Sequence, residues 1–202
     1  MEDKHYSVKI EESRFLISKA EKLVALGLGN EDSELVVPAM LTIAVALEAL
    51  LNDAIISFCF KIYPESDYRG IAESYLSMSL KGKLLVVVPL ASNSKFILDK
   101  SSDVYHSLVN LIKVRNELAH TKSFISKITL KSVDSDGGGL IADGLEIDPE
   151  WYDKQFDRPL FHGGYEQASS CLEAIKLLSS LLMIKGENPR FSEYEFVREV
   201  KA

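Results

Sequence analysis

Residues Val36 to Phe60 read VVPAMLTIAVALEALLNDAIISFCF. Whether this stretch crosses a membrane or fills the middle of a bundle decides the fold. At about 1.5 Å per residue it is long enough to span the hydrocarbon layer. Glu48, Asn52 and Asp53 nevertheless fall in its middle, where each charge costs about 3 kcal/mol in lipid. No basic cluster flanks the stretch to set an orientation. It therefore reads as a helix buried at the centre of a soluble bundle, with no membrane partner.

Working outward, apolar residues at helical spacing place a first helix over about Ser7 to Leu28, through Phe15, Leu16, Ala20, Leu23, Val24 and Leu28. The segment GLGNEDSE stops it and offers a fresh N-cap at Ser33 or Asp32. The second helix runs from Glu34 to about Tyr63, with Pro38 tolerable in its first turn. After YPESDYRG, shorter helices are expected over Ile71 to Met78 and Leu80 to Leu90, the latter ended by Pro89 and ASNS. A further helix, capped by Ser101, Ser102 or Asp103, carries Val104, Leu108, Leu111, Leu118 and Ala119 as its buried stripe.

Beyond His120 the pattern changes. FISKITLKSV is β-branched and partly alternating, DSDGGG is a turn, and LIADGLEID can return as a strand. Residues 124–164 thus read as a small β-hairpin or long-loop insertion before the last long helix, from about Tyr165 to Lys185. The tail, 186–202, is expected to add a short helix from Ser192. The expected fold is an all-α helical bundle of one domain, residues 1–202, decorated by that insertion.

The chain of 202 residues is 47% hydrophobic and carries a formal net charge of −7, which supports a core and argues against a uniformly basic nucleic-acid binder. The charge is unevenly distributed: residues 1–80 carry −6, residues 81–131 carry +6, and residues 132–202 carry −7. A local basic block can hold a polyanion on an acidic protein, because phosphate contacts are set locally. The acidic final third could also fold back onto it. Cys59 and Cys171 lie in apolar helical sequence and read as reduced core residues of a cytoplasmic protein, and the polar N-terminus gives no secretory signal. No metal or other cofactor is expected. His5, His106 and His162 have no zinc-site spacing, and DSDGGGLIADGLE has Leu145 where a calcium loop needs its bidentate acid.

The basic block surrounds VRNELAH, Val114 to His120, at the end of the fifth helix. Arg115 offers a planar, permanently charged fork for phosphate oxygens, and His120 can exchange protons near neutral pH. Together they are a minimal kit for cutting RNA without metal: a base takes the 2′-hydroxyl proton and the cation stabilises the charge on the phosphorane-like transition state. Five residues turn about 140° around a helix, so Arg115 and His120 do not both face one ligand from a single straight helix. Relaxation of the helix end would bring them together, as would two copies of the helix meeting across a twofold axis. Asn116 lies between them, Lys113 and Lys122 are candidate backbone contacts, and Glu48 is a candidate auxiliary acid. Glu48 needs a partner in so apolar a helix: Arg115, His120, solvent or a lysine of the bundle.

The run Arg115-Asn116-Glu117-Leu118-Ala119-His120 resembles the R-x4–6-H signature of the HEPN domain family (higher eukaryotes and prokaryotes nucleotide-binding). The helix AVALEALLNDAI with its acid at Glu48 and the helix YHSLVNLIKVRNELAH are similar to that family's. The resemblance covers most of Ser7 to His120 and resumes from Tyr165 to Lys185. It implies an up-and-down helical bundle that dimerises through the motif helices, and a metal-independent endoribonuclease of the kind found in toxin–antitoxin and phage-defence systems. Arg115 and His120 would then be catalytic, Asn116 would orient them, RNA would be the substrate, and an antitoxin protein would be a possible partner. The tyrosine that one toxin branch carries two residues after the histidine is replaced here by Lys122. The resemblance equally admits a non-catalytic module that binds a nucleotide or a protein.

Overall fold

A computed structural model describes residues 12–30, 35–119, 159–182 and 191–200. Helices dominate: α1 Glu12–Asn30, α2 Val36–Ile62, α3 Tyr68–Leu76, α4 Leu80–Ala91, α5 Asp103–Ala119 and α6 Pro159–Leu182. A two-stranded sheet, β1 Phe96–Leu98 with β2 Val197–Glu199, completes the described part. The expected insertion lies outside the described residues up to position 158, as do His120, Lys122, Ser33 and Asp32.

The stretch quoted first is the axis of the fold. α2 is 27 residues long, about 40 Å at the usual rise, and it touches α1, α3, α4, α5 and α6. It is the one described helix long and apolar enough to cross a membrane, yet half of its most apolar window is buried inside the fold. Met40, Ile43, Leu47, Leu50, Leu51 and Ile55 are fully enclosed, and Ala39, Ala44, Ala46 and Ala54 between them let neighbouring helices approach closely. A helix apolar on most of its circumference finds its place at the centre of such a bundle.

The polar residues that argued against lipid are used in contacts between helices. Asp53 accepts hydrogen bonds from the Ser13 backbone N–H (3.2 Å) and from Ser13 Oγ (2.7 Å). The first turn of a helix leaves its N–H groups without partners, and here a neighbouring helix supplies the carboxylate cap. α1 then lays Ile17, Ala20 and Val24 into the core. Near its other end Gly27 passes beneath Tyr165 of α6 so closely that a Cβ would overlap the ring. Lys176 links α6 to α1 through Glu21 (3.3 Å) and also holds Glu173 (2.9 Å).

α3 and α4 form where short helices are expected, with shifted ends. Ser79 caps α4 by accepting from the Gly82 N–H. Pro89 does not stop that helix at once. α4 continues to Ala91 and is ended by Asn93 and Ser94, whose φ angles of 52° and 64° turn the chain into β1. A proline this near the C-terminus removes only one helical hydrogen bond.

The tail departs from expectation. Phe191–Glu193 is a single 3-10 turn and the chain then extends as β2, antiparallel to β1, with Phe96 opposite Glu199 and Leu98 opposite Val197. Phe191 stacks on Phe96 with centroids 5.4 Å apart, and Phe196 is buried. Burial of these rings against a partner about a hundred residues upstream outweighs the weak local helical preference of SEYEF.

The long run of α6 begins at Tyr165, as expected, because Gly164 (φ 46°, ψ −142°) breaks the helix; residues 159–163 form a short helical turn before that break. Both cysteines are free and buried. Burial pushes the Cys171 thiol up to about 12 and raises that of Cys59, as expected of inert core residues.

Candidate functional site

Asp99 and Ser102 organise the start of α5. Asp99 Oδ1 accepts from the N–H (3.0 Å) and hydroxyl (2.8 Å) of Ser101, and these bonds hold its carboxyl below the usual range. Ser102 is the cap, its hydroxyl oxygen accepting from the Tyr105 N–H at 3.2 Å. The buried set of α5 is Leu108, Leu111, Ile112 and Val114. Val104 and Leu118 of the expected stripe are only partly buried, because the helix packs between α2 and α6 and its core face is rotated toward both.

Val104, Leu108, Leu111 and Arg115 follow one another at intervals of four, three and four residues, so Arg115 extends the row of core leucines. Where that row reaches the edge of the bundle, α2 offers Glu48 in place of an apolar side chain. Arg115 Nη2 stands 3.5 Å from Glu48 Oε2, and Nη1 donates to Asn116 Oδ1 at 3.1 Å. Both Arg115 and Glu48 side chains are 37% exposed, so neither is sealed inside the bundle. The ion pair is longer than the 2.7–2.9 Å usual for a charge-assisted bond.

Two residues not singled out as site candidates complete the cluster. Lys83, on the apolar row Leu80–Leu84–Val87 of α4, is only 6% exposed; its Nζ lies 3.7 Å from Glu48 Oε1 and donates to Asn52 Oδ1 at 2.9 Å. Asn52 stands one turn beyond Glu48 on the same face of α2. The available signal was the pairing of two polar residues four apart in an apolar helix, which calls for a shared partner. Lys83 itself gives little warning, because a lysine inside an apolar row reads as a snorkelling side chain.

Of the expected site residues, Glu48, Arg115 and Asn116 come together. Lys113 does not join them: two residues turn about 200° around α5, and it is exposed on the far side. His120 and Lys122 lie outside the described residues. The described part of the acidic tail is also elsewhere, bonded to β1 through Asp99 N–H to Phe196 C=O (2.9 Å). That contact is beside the start of α5, and the twelve steps from Asp103 to Arg115 advance about 18 Å along the axis.

Chemically, the cluster sets two cations, one of them buried, around a single carboxylate. Arg115 keeps guanidinium edge for an added oxyanion, and Asn116 fixes its rotation. Among the described residues no three His, Cys, Asp or Glu side chains gather closely enough to hold a metal ion. No family model matches the chain, and comparisons with curated proteins and with solved structures likewise find no match.

Proposed function

We propose that the chain is a metal-independent endoribonuclease of HEPN type, acting in the cytoplasm as a homodimer whose motif helices pool Arg115 and His120 from both protomers. The observation that carries this reading is the Arg115 guanidinium itself. It ends a row of core leucines, is held in rotation by Asn116, and is only loosely engaged by Glu48 at 3.5 Å. A structural arginine gains most from a short two-toothed pair; a phosphate clamp needs donors left over.

In this mechanism His120 carries the proton between the 2′-hydroxyl and the leaving oxygen, while Arg115 stabilises the negative charge that grows on the non-bridging oxygens of the phosphorane-like transition state. Glu48 and Asn116 orient the guanidinium, and Lys122 contacts the RNA backbone beyond the cleavage point. Dimerisation is favoured by the stripe of α2 around Glu48. Leu41, Val45 and Ile56 are 38%, 52% and 40% exposed, and with Glu48 and Asn52 they span about 80° of the helix surface. Such an apolar margin suits an interface.

The test is incubation of the purified protein with total RNA and with tRNA in excess EDTA. Cleavage should proceed, and Arg115→Ala and His120→Ala should each abolish it. Intact RNA with the wild-type chain, or equal cleavage after His120→Ala, defeats the proposal. A second reading, a non-catalytic nucleotide- or protein-binding module, draws on the way Lys83, Asn52, Glu48 and Arg115 knit α2, α4 and α5 together, a task needing no substrate. It predicts no turnover in any variant. The enzyme reading predicts that Arg115→Ala loses turnover while RNA affinity persists.

A further inference from the structure

The least expected member of the cluster is Lys83. A charged amine that is 6% exposed loses most of its hydration and is kept only where polar partners compensate. Among the described residues its close hydrogen bond is to Asn52 Oδ1 at 2.9 Å. Its charge is met by Glu48 Oε1 at 3.7 Å, while the other oxygen of that carboxylate faces Arg115 Nη2 at 3.5 Å. The carboxylate is thus stretched between two cations, one oxygen to each, and neither pair closes to the 2.7–2.9 Å of a strong charge-assisted bond.

That division has a geometric consequence. A carboxylate and a guanidinium lock most firmly when both oxygens meet two parallel N–H groups of one fork. Glu48 cannot offer both oxygens to Arg115 while Oε1 is turned toward Lys83. Asn52 anchors the amine from the same face of α2 that carries Glu48, so the arrangement is braced by one helix turn. We propose that Lys83 is a positioning residue for Arg115: by engaging one oxygen of Glu48 it prevents a closed two-toothed pair and leaves the guanidinium open to a phosphate oxygen.

The catalytic consequence rests on the endoribonuclease reading; the geometric one does not, and the experiment separates them. In the 202-residue chain without ligand, the Nη signals of Arg115, assigned by comparison with Arg115→Lys, report rotation about the Nε–Cζ bond. In Lys83→Met, Glu48 is free to close on the guanidinium, and rotation should slow about tenfold. Adding Glu48→Gln to that variant should return rotation to the wild-type rate or faster. Lys83→Gln, which keeps a partner for Asn52 without the charge, should behave as Lys83→Met and serves if the methionine variant folds poorly. Unchanged rotation in both single variants overturns the proposal.

In RNA cleavage, Lys83→Met should lower kcat about tenfold with KM changed less than twofold, and Lys83→Arg should recover most of the loss. A locked guanidinium with unaltered kcat rejects the role of Lys83 in turnover. If the wild-type chain leaves RNA intact, the endoribonuclease reading fails by itself, and the rotation measurement alone decides whether Lys83 positions Arg115.

Discussion

Replacing Asp53 by alanine tests how α1 is fastened to the bundle. The carboxylate accepts from the Ser13 N–H at 3.2 Å and from its hydroxyl at 2.7 Å, and Ser13 is fully buried. A bond to a charged acceptor contributes about 1.5–3 kcal/mol, and a buried donor left without a partner costs about 1–3 kcal/mol. Asp53 is itself only half-buried, so water reaches part of the vacated space and the lower ends of those ranges apply. Asp53→Ala is therefore expected to cost about 3 kcal/mol, chiefly through the orphaned N–H.

Ser13→Ala keeps the N–H bond and loses only the hydroxyl, for about 1 kcal/mol. In the Asp53→Ala background the same change should cost almost nothing, so the double-mutant cycle should show about 1 kcal/mol of coupling. Urea denaturation followed by far-UV circular dichroism gives the stabilities, and hydrogen exchange should show the loss concentrated in α1. A cost below 0.5 kcal/mol for Asp53→Ala (about the level of an ordinary surface change), or an equal cost of Ser13→Ala in both backgrounds, refutes the cross-helix cap.

Gly27→Ala replaces a poor helix former by the best one, a change favourable by about 1 kcal/mol in an open helix. Because Tyr165 occupies the space of the added methyl, thermal unfolding should instead show a loss of about 1–2 kcal/mol from overpacking. The carboxyl of Asp99 is held low by Ser101. Its depressed folded value means its contribution is present above the unfolded value, near 4, and lost as pH falls through the folded one. Wild type should thus exceed Asp99→Asn in stability at neutral pH, with the gap closing in acid. The Cys171 thiol, buried and pushed up to about 12, should resist iodoacetamide in the native protein and react once urea unfolds it, as read by mass spectrometry.

The site occupies an unusual place for a helical protein, because its arginine sits where the packing pattern calls for another leucine. If Glu48 were replaced by leucine, the apolar row would be continuous across α2, but Lys83 would lose the carboxylate that meets its charge among the described residues. Removing one member of such a group leaves the others uncompensated, which costs more than the intact group contributes. The cluster therefore changes as a unit, and single replacements within it report on stability and on any activity together. Circular dichroism belongs beside every activity measurement made on these residues.

Local pattern alone determined the central helix and the helical class of the described segments. Apolar periodicity, capping residues and the cost of charge in lipid are all properties of neighbouring positions. Tertiary structure decided the rest. β1 and β2 are each three residues long and lie about a hundred residues apart, so neither carries a recognisable signal until the partner is present. The cap on α1 comes from a residue forty positions away. Lys83 resembles any surface lysine in sequence and becomes a buried counter-charge only when α4 crosses α2 at the turn from Glu48 to Asn52. Charges meet through space, and the chain records only their order.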